Sequence, residues 1–321
     1  MLKLGINYLL NILLMQTVLG ANGQIANELV KELYKNYTQE IKLVSRNPKK
    51  INPTDQLFPA NLMDAIATEK AIKGSEIVYF TVGLPMNSSL WEKQFPTIMR
   101  NVINACKKYN CKLVFFDNTY MYAKNSAPQT ENSPFVPIGR KARVRAQVAS
   151  MLIKEMENKQ ITAVICRAPE FYGPAKTQSI TNTMIFNRIR RSKKPLVPLK
   201  DDTTRTLIWT PDASRAMALI GNTPNAFNQT WHLPCDMHPI TYRMLIDMAS
   251  DEFGKKMKYK VIKLWMFKIA ALFSKKAKEL EELLPRYKYD NIFVSEKFKT
   301  RFPKFRVTSY REAIAKIKQE S

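Results

Sequence analysis

The chain has 321 residues, 45% of them hydrophobic, and a formal net charge of +24. This apolar content is typical of a globular protein with a core and excludes a disordered chain. The sequence has only two histidines, and its four cysteines form no C-x-x-C pair. This composition argues against a histidine-based metal site, a Ser-His-Asp hydrolase and a disulfide scaffold. We expect no metal and reduced, partly buried cysteines in a cytoplasmic protein.

The basic residues are spread along the chain, with denser groups at residues 188–194 and 255–260. This spread favours an ordinary lysine-rich surface. The alternatives are capture of a phosphorylated ligand, of RNA or of an anionic membrane. Because nucleic-acid binding needs basic residues concentrated on one face, we expect no nucleic-acid partner.

Residues 1–14 are apolar with a single lysine, and they are too few to cross a bilayer. No signal-peptidase site follows them before the first glycine turn. We interpret them as an N-terminal extension that lies upstream of a natural start near Met15, or as a loose helix.

The first predicted strand runs up to Gly20, and a helix-forming stretch follows Gly23. This strand–turn–helix is typical of a dinucleotide-binding βαβ unit. Gly20 permits the tight turn, and Gly23 has no Cβ to hinder the approach of a pyrophosphate. The free N–H groups at the start of the helix would face that anion.

Strands and helices alternate regularly beyond this turn. Apolar runs predict strands at 41–44, 77–82, 112–116 and 162–166, and helical periodicity appears at 64–73, 91–109 and 142–157. The pattern predicts an α/β fold, a Rossmann-type doubly wound parallel sheet with a smaller mixed C-terminal substrate lobe. We expect an NAD(P)-binding domain over residues 15–174, and the rest of the sheet edge plus the lobe over 175–321.

Four further helices are predicted in the second half of the chain. They cover residues 182–191, 211–220, 241–253 (with Thr241 as N-cap) and 264–284. The lysine-rich stretch 263–278 could touch a membrane. We favour packing of this helix on the core instead, and we expect no membrane partner.

The end of the second strand bears on the choice of cofactor, because an acidic residue there would repel a 2′-phosphate. Here the position holds Ser45, followed by Arg46. A serine hydroxyl and a guanidinium can both bind a phosphate. The sequence therefore predicts NADP(H) in preference to NAD(H).

Five stretches in this order resemble the extended short-chain dehydrogenase/reductase superfamily, in its NAD-dependent epimerase/dehydratase branch. They are residues 20–26 (GANGQIA), 60–64 (ANLMD), 116–122 (FDNTYMY), 167–174 (RAPEFYGP) and 205–212 (RTLIWTPD). The resemblance implies that Glu170 faces the substrate and that Arg205 binds a phosphate or carboxylate on it. The turn, the second strand and the resemblance together suggest a set of cofactor-binding residues: Gly20, Asn22, Gly23, Gln24, Ile25, Ser45, Arg46, Asn61, Leu62, Thr81, Val82, Gly83, Lys141, Ala168 and Pro169.

The catalytic pattern of this family is broken in the chain. The resemblance implies a tyrosine four residues before a lysine, but Pro137 precedes Lys141 at that spacing. Asn118 stands at the position of the usual serine and can still donate to a carbonyl oxygen. The proton would have to come from Tyr122, from Tyr120 or from Lys141 itself. We expect Tyr122, Lys141 and Asn118 as the catalytic residues.

The leading hypothesis is therefore an NADP-dependent oxidoreductase or isomerase. Its small-molecule substrate would be a carbonyl or sugar-like compound, either phosphorylated or unphosphorylated. The alternatives are a catalytically inert NADP(H)-binding sensor or scaffold and, ranked last, an RNA-binding member of the superfamily. A homodimer is expected by analogy with the superfamily alone.

Overall fold

The computed structural model describes residues 15–174, 177 and 179–320. The extension expected at residues 1–14 lies outside this range. Elements in the first half of the chain are β1 Gln16–Leu19, α1 Gln24–Asn36, β2 Ile41–Ser45, β3 Gln56–Pro59, α2 Ala65–Ile72, β4 Ile77–Phe80, α3 Ser88–Tyr109, β5 Lys112–Asp117, α4 Arg140–Glu157 and β6 Ala163–Arg167.

The second half has shorter elements. They are β7 Glu170–Tyr172, a π-helical turn Asn182–Phe186, α5 Asn187–Ile189, β8 Leu196–Pro198, β9 Thr204–Arg205, β10 Leu207–Trp209, α6 Thr210–Gly221, β11 Gln229–His232, β12 Ile240–Thr241, α7 Tyr242–Phe253, β13 Lys260–Ile262, α8 Leu264–Phe273, α9 Lys275–Glu281, α10 Glu296–Arg301 and α11 Tyr310–Gln319; 3₁₀ turns lie at Pro224–Ala226 and Leu284–Lys288.

Seven parallel strands form the central sheet, in the order β11-β6-β5-β4-β1-β2-β3. Every paired neighbour in it is parallel. The strand order reverses beside β1, which pairs with β2 on one side and β4 on the other. In open α/β sheets a ligand crevice forms at the carboxyl ends of the strands at this reversal. The predicted Rossmann-type class is confirmed.

The inner strands of the sheet are buried on both faces: every residue of β1, β4 and β6 is buried. Val18 and its neighbour Leu19 are fully buried and belong to two different cores. Val18 packs in the core formed with α1 and α6, and Leu19 packs in the core formed with α2, α3 and α4. This alternation fixes the strand register, since a slip by one residue would exchange the two cores.

A third core holds the C-terminal lobe together. It joins α7 and α11 with the small β8–β13 pairing, and Tyr172 and Trp209 lie within it. The predicted N-cap of α7 is confirmed, since the Thr241 side chain accepts a hydrogen bond from Met244 N (3.1 Å).

The predicted helix at 264–284 is interrupted. Ser274 leaves the helical conformation (φ −138°, ψ 111°) and serves as N-cap of α9, where its side chain accepts from Ala277 N. A serine hydroxyl competes well for free N–H groups at a helix start, so an internal serine can begin a new helix within an otherwise helical sequence.

Among the described residues, no helix is long and apolar enough to cross a membrane. All four cysteines are buried and free. The same residues contain no cluster of three or more histidine, cysteine, aspartate or glutamate side chains arranged to hold a metal ion.

Candidate functional site

The turn between β1 and α1 can be made only by glycine at its first position. Gly20 has φ +87°, and a Cβ there would lie 2.8 Å from the Cα of Val82. The turn is therefore packed closely against the segment that follows β4 (Thr81, Val82, Gly83). Gly23 N donates to Gly20 O (2.9 Å), which closes the turn just before α1.

The start of α1 has the features of an anion-binding site. Gly23 is its N-cap, no side chain caps it, and its first turn contains no acidic residue. The N–H groups of Gln24 and Ile25 have no acceptor within the helix, and the helix dipole adds positive potential. The side-chain Nε2 of Gln24 is buried without a hydrogen-bond partner among the described residues. These groups fit the pyrophosphate of a dinucleotide.

Side chains at the ends of the neighbouring strands could surround the adenosine half of such a ligand. The Ser45 hydroxyl, which ends β2, is buried with no partner in the described part of the chain, and Arg46 is exposed beside it. Asn22 is exposed in the turn and donates to Asn47 O (2.7 Å). Asn61 Oδ1 accepts from Met63 N (3.2 Å), while Leu62 is buried. An unpaired hydroxyl at this edge supports a polar ligand there.

Lys141 lies on the first turn of α4 and is completely buried. Its ammonium group lies 2.5 Å from Glu279 Oε2 and donates to Ser88 Oγ (2.8 Å) and to Glu279 O (2.9 Å). Glu282 Oε1 is also 3.3 Å away. The segment at the end of α9 therefore covers this lysine, and a ligand that needs it must displace Glu279.

Glu282 also completes the N-terminus of α4. Its carboxylate oxygens accept from Arg140 N (3.0 Å) and Lys141 N (3.0 Å), because the N-cap residue Gly139 has no side chain for this role. A negative charge at this position is favourable for the helix dipole. The α9 segment is thus tied to α4 by both main-chain and side-chain contacts.

Tyr122 uses its hydroxyl inside the protein. The Tyr122 hydroxyl lies 2.8 Å from His232 Nε2 and 3.1 Å from Thr130 O, and it accepts from Arg167 Nη1 (2.7 Å). His232 Nδ1 faces Val294 O (2.7 Å), so Nδ1 carries the ring proton and Nε2 is left to accept from Tyr122. The single hydroxyl proton has two acceptors within reach, His232 Nε2 and Thr130 O, and the oxygen accepts from Arg167, so the Tyr122 hydroxyl is already used inside the protein.

Arg167 and Arg145 both bind Asp117, which is fully buried at the end of β5. Arg145 Nη2 lies 2.5 Å from Asp117 Oδ1, and Arg167 Nε lies 3.2 Å from Asp117 Oδ2. Ala168 N donates to the Asp117 carbonyl (3.0 Å), which holds the segment with Ala168 and Pro169, just after β6, against the end of β5. This network fixes the end of β5, on which Asn118 and Tyr120 follow.

Tyr120 borders a narrow cavity of about 20 Å³, room for roughly a water molecule. Its ring stacks on Trp91 (6.2 Å) and faces the Arg286 guanidinium (5.4 Å). The Tyr120 hydroxyl makes no hydrogen bond with any described residue. Burial raises the pKa of Tyr120, so the phenol stays protonated at neutral pH. Asn118 Oδ1 accepts from Tyr120 N (3.0 Å), so the side chain of Asn118 helps to shape this turn.

Glu170 lies at the centre of a buried polar cluster. Its Oε2 pairs with Arg205 (3.1 Å) and Arg286 (3.2 Å), and its Oε1 accepts from three hydroxyl groups, those of Thr181, Tyr242 and Tyr287. Burial raises the pKa of this carboxyl, but the two guanidinium groups, together with the hydrogen bonds from Thr181 and Tyr242, keep the pKa below its ordinary value. Arg205, expected to bind a substrate anion, is therefore already neutralised by Glu170.

Three residues of the covering segment were missed by sequence reasoning: Glu279, Glu282 and Arg286. Glu279 pairs with Lys141 across 138 positions. A lysine- and glutamate-rich helix is usually a solvated surface, so no local pattern marks these side chains as part of a site.

Comparison with known proteins supports the architecture. The sequence profile of the NAD dependent epimerase/dehydratase family matches residues 16–232. A search of curated protein sequences finds no match. UDP-glucuronic acid 4-epimerase from Bacillus cereus, solved with NAD, is similar with a TM-score of 0.77 at 14% identity, covering 96% of each chain.

Two further solved structures are similar. UDP-glucose 4-epimerase from Thermus thermophilus, with NAD, has a TM-score of 0.75 at 15% identity, covering 96% of this chain and 98% of the other. The Bordetella bronchiseptica enzyme WbmH, with NAD⁺, has a TM-score of 0.73 at 15% identity, covering 95% of this chain and 97% of the other. At these identities the likeness shows the fold.

The predicted preference for NADP(H) is wrong. These three similar structures contain NAD. The prediction relied on Ser45 and Arg46. A guanidinium at the end of β2 can also stack on an adenine, which both dinucleotides carry, so these residue types alone do not select a 2′-phosphate.

Proposed function

The chain belongs to the NAD dependent epimerase/dehydratase family, and on that premise we propose that it is an NAD-dependent oxidoreductase or isomerase of a small carbonyl or sugar-like substrate. The observation that carries this proposal is the uncapped start of α1 against the tight Gly20 turn, with the unpaired Gln24 and Ser45 side chains beside it. Bound NAD would supply hydride exchange with the substrate.

In this proposal Tyr120 is the proton donor and acceptor. Tyr122 was the expected candidate, but its hydroxyl is engaged by His232, Arg167 and Thr130. Both tyrosines border the cavity, but the Tyr120 hydroxyl has no partner among the described residues. Asn118 and Lys141 keep their proposed roles, orientation of the carbonyl oxygen and electrostatic support, once Glu279 moves away from Lys141.

The charge of the Glu170 cluster supports a substrate with little negative charge. Arg205 and Arg286 together carry two positive charges, and Glu170 cancels one of them. The similar epimerases are named for UDP-sugars, whose diphosphate carries more charge than one remaining guanidinium can balance. We therefore propose a neutral or singly charged substrate, contacted by Arg286 at the cavity.

The test is NAD(H)-linked turnover with a panel of simple carbonyl compounds and free sugars, followed by NADH absorbance. Tyr120→Phe removes the proposed acid and should lower kcat by about 10²-fold or more, with NAD binding unchanged. Tyr289→Phe, which removes an exposed hydroxyl, is the matched control. Tyr122→Phe should reduce stability more than turnover. Loss of turnover in Tyr122→Phe with full turnover in Tyr120→Phe would refute the assignment.

A second candidate, a redox-inert NAD-binding protein, is favoured by two observations. Pro137 replaces the usual tyrosine, and Lys141 is closed off by Glu279. NAD binding without turnover, in both the wild type and Glu279→Gln, would select this candidate over the enzyme.

A further inference from the structure

The helix α8 exposes an apolar face to solvent. Four large side chains lie on it, and their exposed fractions are 61% for Trp265, 50% for Ile269, 78% for Leu272 and 87% for Phe273. Their spacing of four, three and one residues places them on one side of the helix. Only Phe267 of α8 is buried. The expectation that this helix packs on the core holds for one side of it alone.

The surroundings of this face are positively charged. Residues 263–278 contain no aspartate or glutamate, and Lys263, Lys268, Lys275 and Lys278 are exposed. The preceding stretch adds four more exposed lysines: Lys255, Lys256, Lys258 and Lys260. The nearest acidic side chain in α9, Glu279, turns inward to Lys141 and Ser88.

We propose that α8 docks in the headgroup region of a membrane surface that contains anionic phospholipid. The apolar face would enter the interface while the flanking lysines contact lipid phosphates and carboxylates, as is typical of interfacial helices. With ten residues, α8 is about 15 Å long and lies on such a surface without crossing it.

Charge complementarity favours lipid over a second copy of the chain. A two-fold contact through α8 would bring the lysines of both copies together, and like charges in a contact are unfavourable. The chain also carries a net charge of +24, which attracts it to any anionic surface. This proposal does not depend on the proposed enzymatic function.

The experiment is co-sedimentation of the full chain with vesicles of phosphatidylcholine alone and with vesicles containing about 30% phosphatidylserine. Binding should need the anionic lipid and should weaken as salt rises, because lysine–lipid attraction is screened. The double variant Trp265→Ser/Phe273→Ser should bind about tenfold or more weakly. Its control, Ile66→Ser/Met237→Ser, removes two exposed apolar side chains elsewhere and should bind normally.

A charge variant separates the lysine contribution. Lys268→Glu/Lys275→Glu should lose binding to anionic vesicles, whereas Lys35→Glu/Lys304→Glu, with the same change in net charge at other exposed lysines, should retain most of it. Equal losses in both pairs would mean that net charge, rather than α8, drives binding and would overturn the proposal.

Tryptophan fluorescence gives an independent readout. Trp91, Trp209 and Trp231 are buried, so a blue shift on vesicle addition reports on Trp265. We expect that shift with anionic vesicles, and its loss in Trp265→Phe. Absence of binding to any vesicle, or a dimer in light scattering that Trp265→Ser/Phe273→Ser abolishes, would refute lipid as the occupant of this face.

Discussion

Lys141 Nζ lies 2.5 Å from Glu279 Oε2, and this ion pair holds the end of α9 over the lysine. The lysine is fully buried, whereas Glu279 is partly exposed at 16%. Opening therefore requires the glutamate to leave and the lysine to gain a new partner. In the proposed enzyme, this pair would control the access of a ligand to Lys141.

Glu279→Gln should open the site. The buried lysine loses its closest anion but keeps Glu282 at 3.3 Å, so we expect a stability loss of about 1–3 kcal/mol in urea unfolding. Lys141 should also react faster with an amine-labelling reagent, as measured by mass spectrometry of the digested protein. Glu281→Gln makes the same charge change next to the pair and should leave both values near wild type. Unchanged labelling of Lys141 in Glu279→Gln would contradict the closed-segment interpretation.

Glu170→Gln should destabilise the protein at neutral pH by about 3–5 kcal/mol, because it leaves Arg205 and Arg286 without their shared carboxylate. The pKa of Glu170 is below its ordinary value in the folded protein. Its contribution is therefore present above the unfolded pKa of about 4.3 and is lost as pH falls through the lower folded pKa. The difference between wild type and Glu170→Gln in urea unfolding should narrow at acidic pH. Glu157→Gln, at an exposed position, is the control. A constant difference across the pH range would be inconsistent with a paired carboxylate.

His232 should make the protein sensitive to mild acid. Burial lowers the pKa of His232 to about 3, because its effect is larger than the rise in pKa caused by the hydrogen bond to Val294 O. The unfolded chain binds this proton below about pH 6.5 and the folded chain does not, so stability falls by up to about 1.4 kcal/mol per pH unit from there toward pH 3. His232→Gln should flatten this slope, whereas His238→Gln, at a histidine that is 89% exposed, should not. Parallel pH profiles of the wild type and His232→Gln would exclude the histidine as the cause.

Gly173 is held against Thr210 so closely that no Cβ fits. A Cβ on Gly173 would lie 1.9 Å from Thr210 Oγ1, so Gly173→Ala should cost about 2 kcal/mol or more. Thr210 Oγ1 is buried with no partner among the described residues, so Thr210→Ala should cost little. The double variant should then recover much of the loss in thermal unfolding. Gly83→Ala, with open space around its Cβ, is the control. If the double variant loses as much stability as the two single variants together, the strain in Gly173→Ala does not come from Thr210.

The central strands could be predicted because they are buried on both faces. Residues 77–80 and 113–116 are continuous apolar runs, and such runs are typical of parallel strands. The edge strand Gln56–Pro59 was missed because three of its four residues are exposed and one is proline. A short, exposed edge strand lacks the buried apolar run that reveals the inner strands in a sequence.

The candidate site could be predicted only where it is local in sequence. Three parts of the site follow a strand or begin a helix: the glycine turn, Lys141 and the segment from Asn118 to Tyr122. Local sequence patterns therefore indicate their positions in the fold. The covering by Glu279 depends on a fold-back of the chain, and the choice between Tyr120 and Tyr122 depends on His232, 110 residues beyond Tyr122. Contacts of this length are set by tertiary packing and leave no periodic pattern.

A calorimetric titration of the purified chain with NAD tests the proposed cofactor site. We expect saturable one-site binding. Asn22→Asp places a carboxylate beside the proposed pyrophosphate-binding site and should weaken the affinity for NAD about tenfold, which corresponds to ~1.4 kcal/mol. Thr241→Asp adds the same charge at the N-cap of α7 and should bind NAD as the wild type does. An absence of NAD binding, or equal affinity in Asn22→Asp and Thr241→Asp, would contradict the proposed cofactor site.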